Sequence, residues 1–163
     1  MGSEMCIRDR TLASMAGYQS LAAAGVTTVV DLRAEPQRGI DEATLRSYGL
    51  TLVSVPISDG QTPTPSQIAE FLRVVRESKG TVFLHCGAGV GRTGSMAAAY
   101  LVATGQASGL RATWRNLSVG PPSLEQIAFS LRLEGDRAEH ANFAVVAVSR
   151  VLDAPRRIWT VLG

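Results

Sequence analysis

The sequence predicts an α/β fold with a small central, mainly parallel sheet flanked by helices, and three observations predict it. Helix-like and strand-like segments alternate from Leu12 to Thr104. The strand-like segments are short runs of β-branched and apolar residues, as expected of strands covered on both faces. A glycine-rich stretch follows the last of them and leads into a helix, and in parallel sheets ligands bind at such carboxyl ends of strands.

Leu12 to Ala24 carries helix formers and stops at Gly25, a residue suited to a helix-ending position. Val26 to Leu32, Val-Thr-Thr-Val-Val-Asp-Leu, is a buried strand by its β-branched content. Asp41 to Tyr48 is a short helix closed by Gly49, and Leu50 to Ile57 is a second strand, whose Pro56 places it at an edge or at its end. After the loop from Ser58 to Pro63, Thr64 is the N-cap of a helix, Pro65 its first residue and Gln67 the partner in a capping box. Ile68, Phe71, Leu72 and Val75 make the apolar face of that helix, and Gly80 ends it. Thr81 to Leu84 is a third strand, and Thr93 to Thr104 a helix of small residues ending at Gly105. Leu110 to Leu117 and Ser123 to Leu133 are two further helices, the second with a capping box of Ser123 and Gln126. Beyond Gly135, residues 139–152 are read as a helix, with Phe143 to Val148 also apolar enough for a strand.

With 163 residues the chain fits one domain, and 45% hydrophobic with 18% charged residues is ordinary globular composition. A formal charge of +2, with neither a basic tract nor an aromatic-studded patch, leaves no electrostatic footprint for nucleic acid. No apolar run of about 18 residues occurs, so no membrane span is expected. Two cysteines, Cys6 and Cys86, are too few for a disulfide framework, and the expected location is the reducing cytoplasm. Residues 1–10 are set aside, because Met5-Cys6-Ile7-Arg8-Asp9-Arg10 resembles a translated sequencing-adapter read or a disordered tail. That leaves a domain over 11–135 and a C-terminal extension over 136–163.

The stretch His85-Cys86-Gly87-Ala88-Gly89-Val90-Gly91-Arg92-Thr93-Gly94 admits three readings. A nucleotide P-loop needs glycine and lysine where Cys86 and Arg92 stand. A dinucleotide fingerprint fits Gly89, Gly91 and Gly94, but no acidic residue lies between Gly109 and Gly120 to meet the ribose. The third reading is a thiolate in an anion cradle. Cys86 and Arg92 bracket five residues, three of them glycine, so successive backbone N–H groups of Gly87, Ala88, Gly89, Val90, Gly91 and Arg92 can turn inward around an oxyanion. The following helix adds the positive end of its dipole, and the Arg92 fork matches two phosphoryl oxygens. The same donors stabilise a sulfur anion, which makes Cys86 the nucleophile of a phosphoryl transfer. Thr93 has a hydroxyl that can donate a hydrogen bond to the departing sulfur.

That reading also needs a carboxyl group to protonate the leaving oxygen and later deprotonate water. Asp59, on the loop after the strand Leu50 to Ile57, suits the role, with Asp31 and Glu35 next in line; an Asp-Gly pair is also an ordinary turn. His85 alternates away from Cys86 in an extended strand and is not expected to act as a base. Arg111 and Arg115 fit a solvated helix face, and Trp114 is expected in the core.

The ten residues from His85 to Gly94 resemble the signature of the protein tyrosine phosphatase superfamily, and the dual-specificity branch most. The resemblance runs from about Leu12 to Leu133. It implies a phosphatase-like fold, a general acid on the loop that holds Asp59, and a buried His85 bonded to the loop backbone. It also places Gln126 where tyrosine phosphatases often carry a glutamine that orients water, although the capping box accounts for Gln126 equally well. Rhodanese-like sulfur transferases are disfavoured, since their loop is usually one residue shorter. Relatives have a strand before the first helix, where this chain has the residues set aside, so the reading leaves that strand open. The expected activity is phosphomonoester hydrolysis without metal or cofactor, on phosphotyrosine or phosphoserine/threonine in proteins or on a small phosphomonoester. A phosphoinositide or inositol phosphate enzyme is the near rival, disfavoured by Ala88 and Val90 where such enzymes often have lysine. An inactive phosphate-binding fragment is the rival from another class.

Overall fold

The structure, a computed structural model, describes residues 5–7, 15–35, 42–87, 89–117, 122–133 and 149, the first three by backbone alone. Its elements are β1 (Met5–Ile7), α1 (Met15–Ala23), β2 (Val26–Arg33), α2 (Glu42–Ser47), β3 (Thr51–Ile57), α3 (Pro65–Glu77), β4 (Thr81–His85), α4 (Gly91–Ala103), α5 (Gly109–Leu117) and α6 (Leu124–Leu131). The alternation of helix and strand is the one the sequence predicts. Two compact units are distinguished: one of residues 1–57 with 69–89, the other of residues 58–68 with 90–163.

The first unit carries a parallel sheet in the order β1-β4-β2-β3. β2 and β4 lie inside it, and their continuous apolar runs are buried accordingly. β3 is the edge, as Pro56 requires, since a proline donates nothing to a ladder. The register of β2 on β4 shifts between Val26 and Thr28. Such an irregularity resets the alternation of side chains, so Val26 and Val29, three apart, both join one core cluster with Tyr18, Leu45, Leu50 and Phe83. Tyr18 meets Tyr48 across it in a tilted arrangement, ring centroids 6.4 Å apart.

One expectation is corrected here. Residues 1–10 were set aside and the first strand left open, yet Met5–Ile7 pairs in parallel with β4, Met5 opposite Val82 and Ile7 opposite Leu84. The strand that leads into the glycine-rich loop is therefore an interior strand. A three-residue strand is too short to carry a periodicity, and only its partner reveals it.

Glycines close the joints of this unit. Gly25 ends α1 at φ 78°, and Gly49 ends α2 at φ 74°, both in the left-handed region. The predicted start of the first helix at Leu12 and the segment after Gly135, Ser149 apart, lie outside the described residues.

The second unit packs α4, α5 and α6 together. α4 is buried nearly all round, which its run Met96-Ala97-Ala98-Ala99 permits. A side chain at Gly94 would run into the Asn116 amide of α5, so glycine there sets how closely the two helices approach. A side chain at Gly109 would come within 2.7 Å of the Ser130 carbonyl, which does the same for α5 and α6. Phe129 of α6 is fully buried. The expectation for Trp114 is corrected: α5 buries its small face, Gly109, Ala112, Thr113 and Asn116, and leaves Trp114 66% exposed.

Candidate active site

The loop begins where β4 ends. Cys86 follows His85 directly and is 4% exposed. Gly89 turns the chain at φ 70°, a conformation that a side chain would strain. Gly87 is exposed and Gly89 buried, whereas Ala88 lies outside the described residues. α4 then opens at Gly91, two residues earlier than predicted, with Val90 as its N-cap. Valine has no side-chain acceptor, and no side-chain hydrogen bond caps this helix end. At this end of α4 the helix dipole favours an anion.

Arg92 and Thr93 stand in that first turn, both buried. The Arg92 Nη2 lies 3.4 Å from the Asp59 Oδ1, an ion pair between a buried cation and a carboxylate whose side chain is 36% exposed. Thr93 is fully buried, and its Oγ1 has no hydrogen-bond partner among the described residues. Asp59 itself sits on a reverse turn. Gln61 N–H donates to the Ser58 carbonyl at 3.1 Å, and Gly60 takes φ 74°. Asp59-Gly60 is therefore a turn, and the turn presents the carboxylate to Arg92.

In the first unit, the end of β2 meets the end of β4. Asp31 and His85 are register partners, and His85 Nε2 lies 3.6 Å from Asp31 Oδ2. Asp31 is fully buried and accepts from Arg33 N–H at 2.9 Å, Nε at 3.1 Å and Nη2 at 2.8 Å. The His85 ring stacks on Phe83 with centroids 6.0 Å apart. The residue that precedes the cysteine thus lies beside a carboxylate and a ring, and Asp31 is occupied by its bonds to Arg33. Glu35 makes an interaction of its own at the end of this segment.

Gln126 is buried at the N-terminus of α6. The predicted capping box is present: Ser123 Oγ accepts from Gln126 N–H, and Gln126 Oε1 accepts from Ser123 N–H. The Gln126 amide also lies so close to Gly91 that any side chain at that position would collide with it. Local sequence did not point to Ser123 beyond its cap, nor to Asn116 beneath Gly94. Both matter through tertiary neighbours, and only the glycine at 94 hinted at a close approach. Among the described residues no group of three or more His, Cys, Asp or Glu is placed to hold a metal, and no helix is long and apolar enough to cross a membrane.

Comparison with known proteins completes the description. The Tc-R-P family, "Polymorphic toxin system, DSP-PTPase phosphatase", matches residues 3–106, a range that includes β1 and the whole loop. Over 119 residues the chain is 31% identical to dual specificity protein phosphatase CDC14C of Homo sapiens, covering 68% of this chain and 26% of that protein. The chain spans no more than about a quarter of the curated relatives it matches, 10% of the Caenorhabditis elegans tyrosine-protein phosphatase cdc-14 for example. The crystal structure of PTPMT1 in complex with PI(5)P superposes with a TM-score of 0.65 at 17% identity, covering 78% of this chain and 88% of that one. That of Tk-PTP in the active form gives 0.62 at 23% identity, covering 79% and 91%. At these identities the structures establish likeness of fold.

Proposed function

We propose that this chain, which belongs to the Tc-R-P family of polymorphic-toxin-system DSP-PTPase phosphatases, hydrolyses phosphomonoesters through a cysteinyl-phosphate. The observation that carries the reading is the opening of α4. An uncapped helix N-terminus, preceded by a glycine-rich loop with Cys86 at its start, holds a buried arginine that is paired with an acid on a separate loop.

In the first step the Cys86 thiolate forms a bond to phosphorus as the ester P–O bond breaks, and Asp59 gives its proton to the departing oxygen. Arg92 and the loop N–H groups hold the equatorial oxygens, whose charge they meet without reorganising. In the second step Asp59 takes a proton from water as the water oxygen attacks phosphorus. The S–P bond breaks and inorganic phosphate leaves. Thr93, whose hydroxyl has no other hydrogen-bond partner among the described residues, donates a hydrogen bond to the sulfur as it departs as a thiolate. The buried Asp31–His85 pair supports the strand end from which Cys86 projects.

For substrate we favour phosphotyrosine and phosphoserine/threonine in proteins. The loop offers Val90 rather than lysine to a multiply phosphorylated head group, which disfavours a phosphoinositide. The test is hydrolysis of an activated aryl phosphate by the chain and by Cys86→Ser. Turnover is expected to vanish in the variant while tungstate binding persists, and to survive a chelator in the parent. Turnover by Cys86→Ser at the parental rate overturns the reading. A panel of phosphopeptides and phosphoinositides then sorts the substrates.

A further inference from the structure

A capping box needs little chemistry. The N-cap side chain need only accept a hydrogen bond, and the partner three residues on need only accept another, so Asp with Glu would serve as well as Ser with Gln. Ser123 and Gln126 each have a donor beyond those needs, and both donors are used on the same target. Ser123 Oγ donates to the Gly60 carbonyl at 2.9 Å, and Gln126 Nε2 donates to the Gln61 carbonyl at 3.0 Å. Gly60 and Gln61 are the two residues after Asp59. Ser123 and Gln126 are both buried while Gly60 and Gln61 are partly so, and the two donors are expensive to leave unmade. The same Gln126 amide lies against Gly91, the residue before Arg92. One helix cap therefore touches the acid's loop at two carbonyls and the anion-holding helix at its first residue.

We propose that the N-terminal cap of α6 sets the position of Asp59, with Ser123 and Gln126 as positioning residues for proton transfer. This rests on the reading of Asp59 as the general acid. A turn anchored at its two following carbonyls keeps the carboxylate beside Arg92, and without the two donors the turn is free to drift. The donor halves of serine and glutamine, which capping alone does not require, are what the device needs.

The experiment compares substrates that need the acid with one that does not. Positioned proton transfer contributes about 10²–10⁴-fold, and misplacing the acid forfeits part of it. Ser123→Ala is expected to lower kcat on alkyl phosphates, whose leaving groups are poor, about tenfold, and on an activated aryl phosphate by less than about twofold. Ser123→Thr keeps both bonds and is expected to bring the alkyl rate back within about threefold. Gln126→Glu keeps the capping acceptor but loses the donor. It is expected to show the same selective loss in kcat, any effect of its added charge on KM being common to both substrates. In an Asp59→Asn background the Ser123→Ala loss is expected to disappear, because groups that act as one unit are not additive. Equal losses on both substrates, or a Ser123→Ala loss that persists without Asp59, would overturn the proposal while leaving Asp59 as the acid. If Asp59→Asn itself does not slow alkyl phosphates, the reading of Asp59 fails and the proposal falls with it.

Discussion

The Arg92 guanidinium stands 3.4 Å from the Asp59 carboxylate, so the cation assigned to the phosphoryl group has an anionic partner within the protein. An incoming oxyanion competes with that carboxylate. With the carboxylate partly exposed and the contact long, the pair is taken near the surface-pair range of about 0.2–1 kcal/mol. Asp59→Asn is therefore expected to tighten tungstate binding about two- to fivefold while slowing turnover of alkyl phosphates by roughly 10²-fold or more. Calorimetric titration of the variant checks the first effect and steady-state kinetics the second; weaker binding would contradict the pairing.

The close approach at Gly94 makes a second prediction. In an open helix, Gly→Ala stabilises by about 1 kcal/mol. Here the added methyl meets the Asn116 amide, and Gly94→Ala is expected to destabilise by about 1–3 kcal/mol in urea unfolding. Pairing it with Asn116→Ala removes the obstacle. The double variant is expected to be less destabilised than the sum of the singles, and strict additivity would argue against the packing described.

Asp31 makes a third. Its removal leaves the Arg33 guanidinium, mostly buried, and His85 without their carboxylate. Asp31→Ala is expected to cost about 3 kcal/mol in the same measurement, near the low end for a broken buried pair because Arg33 retains some solvent. A loss below about 0.5 kcal/mol, the usual value for a surface change, would show the pair to be dispensable.

Glu70 and Arg73 on α3 offer a pH test. The Arg73 hydrogen bond holds the Glu70 carboxyl below its usual range, while Glu70 and Glu77 raise the Arg73 guanidinium. A depressed carboxyl stabilises the fold above its unfolded value and loses that stabilisation as pH falls through the folded one. Arg73→Gln is accordingly expected to melt slightly lower than the parent at neutral pH. The two melting temperatures should converge as the solution is acidified below the carboxylate range, and also at high salt, since both partners are exposed.

The elements that sequence revealed are those whose signal is local. β-branched runs marked β2 and β4, glycine marked the ends of α1 and α2, and the Thr64–Gln67 and Ser123–Gln126 boxes marked the starts of α3 and α6. The ten residues around Cys86 carried the resemblance to the phosphatase family that matches the chain, because the spacing of cysteine, glycines and arginine is itself the signature. What escaped depended on partners far along the chain. Trp114 is expected in the core, but orientation on a helix is decided by what packs beneath, and α5 turns its small residues inward. Met5–Ile7 offered three residues, too few for a pattern, and counts as a strand only because β4 lies beside it. The bonds from Ser123 and Gln126 to the Asp59 turn span more than sixty residues of chain and leave no trace in local composition.

The order β1-β4-β2-β3 has a consequence for synthesis on the ribosome. Among the described residues Met5–Ile7 pairs with β4 alone, so this strand finds that partner only after the segment ending at His85 has followed it out of the tunnel. Strand pairing across so long a stretch is a late event in folding. The sheet closes on the very strand that leads into Cys86, and a nascent chain halted before that point holds Met5–Ile7 unzipped from β4.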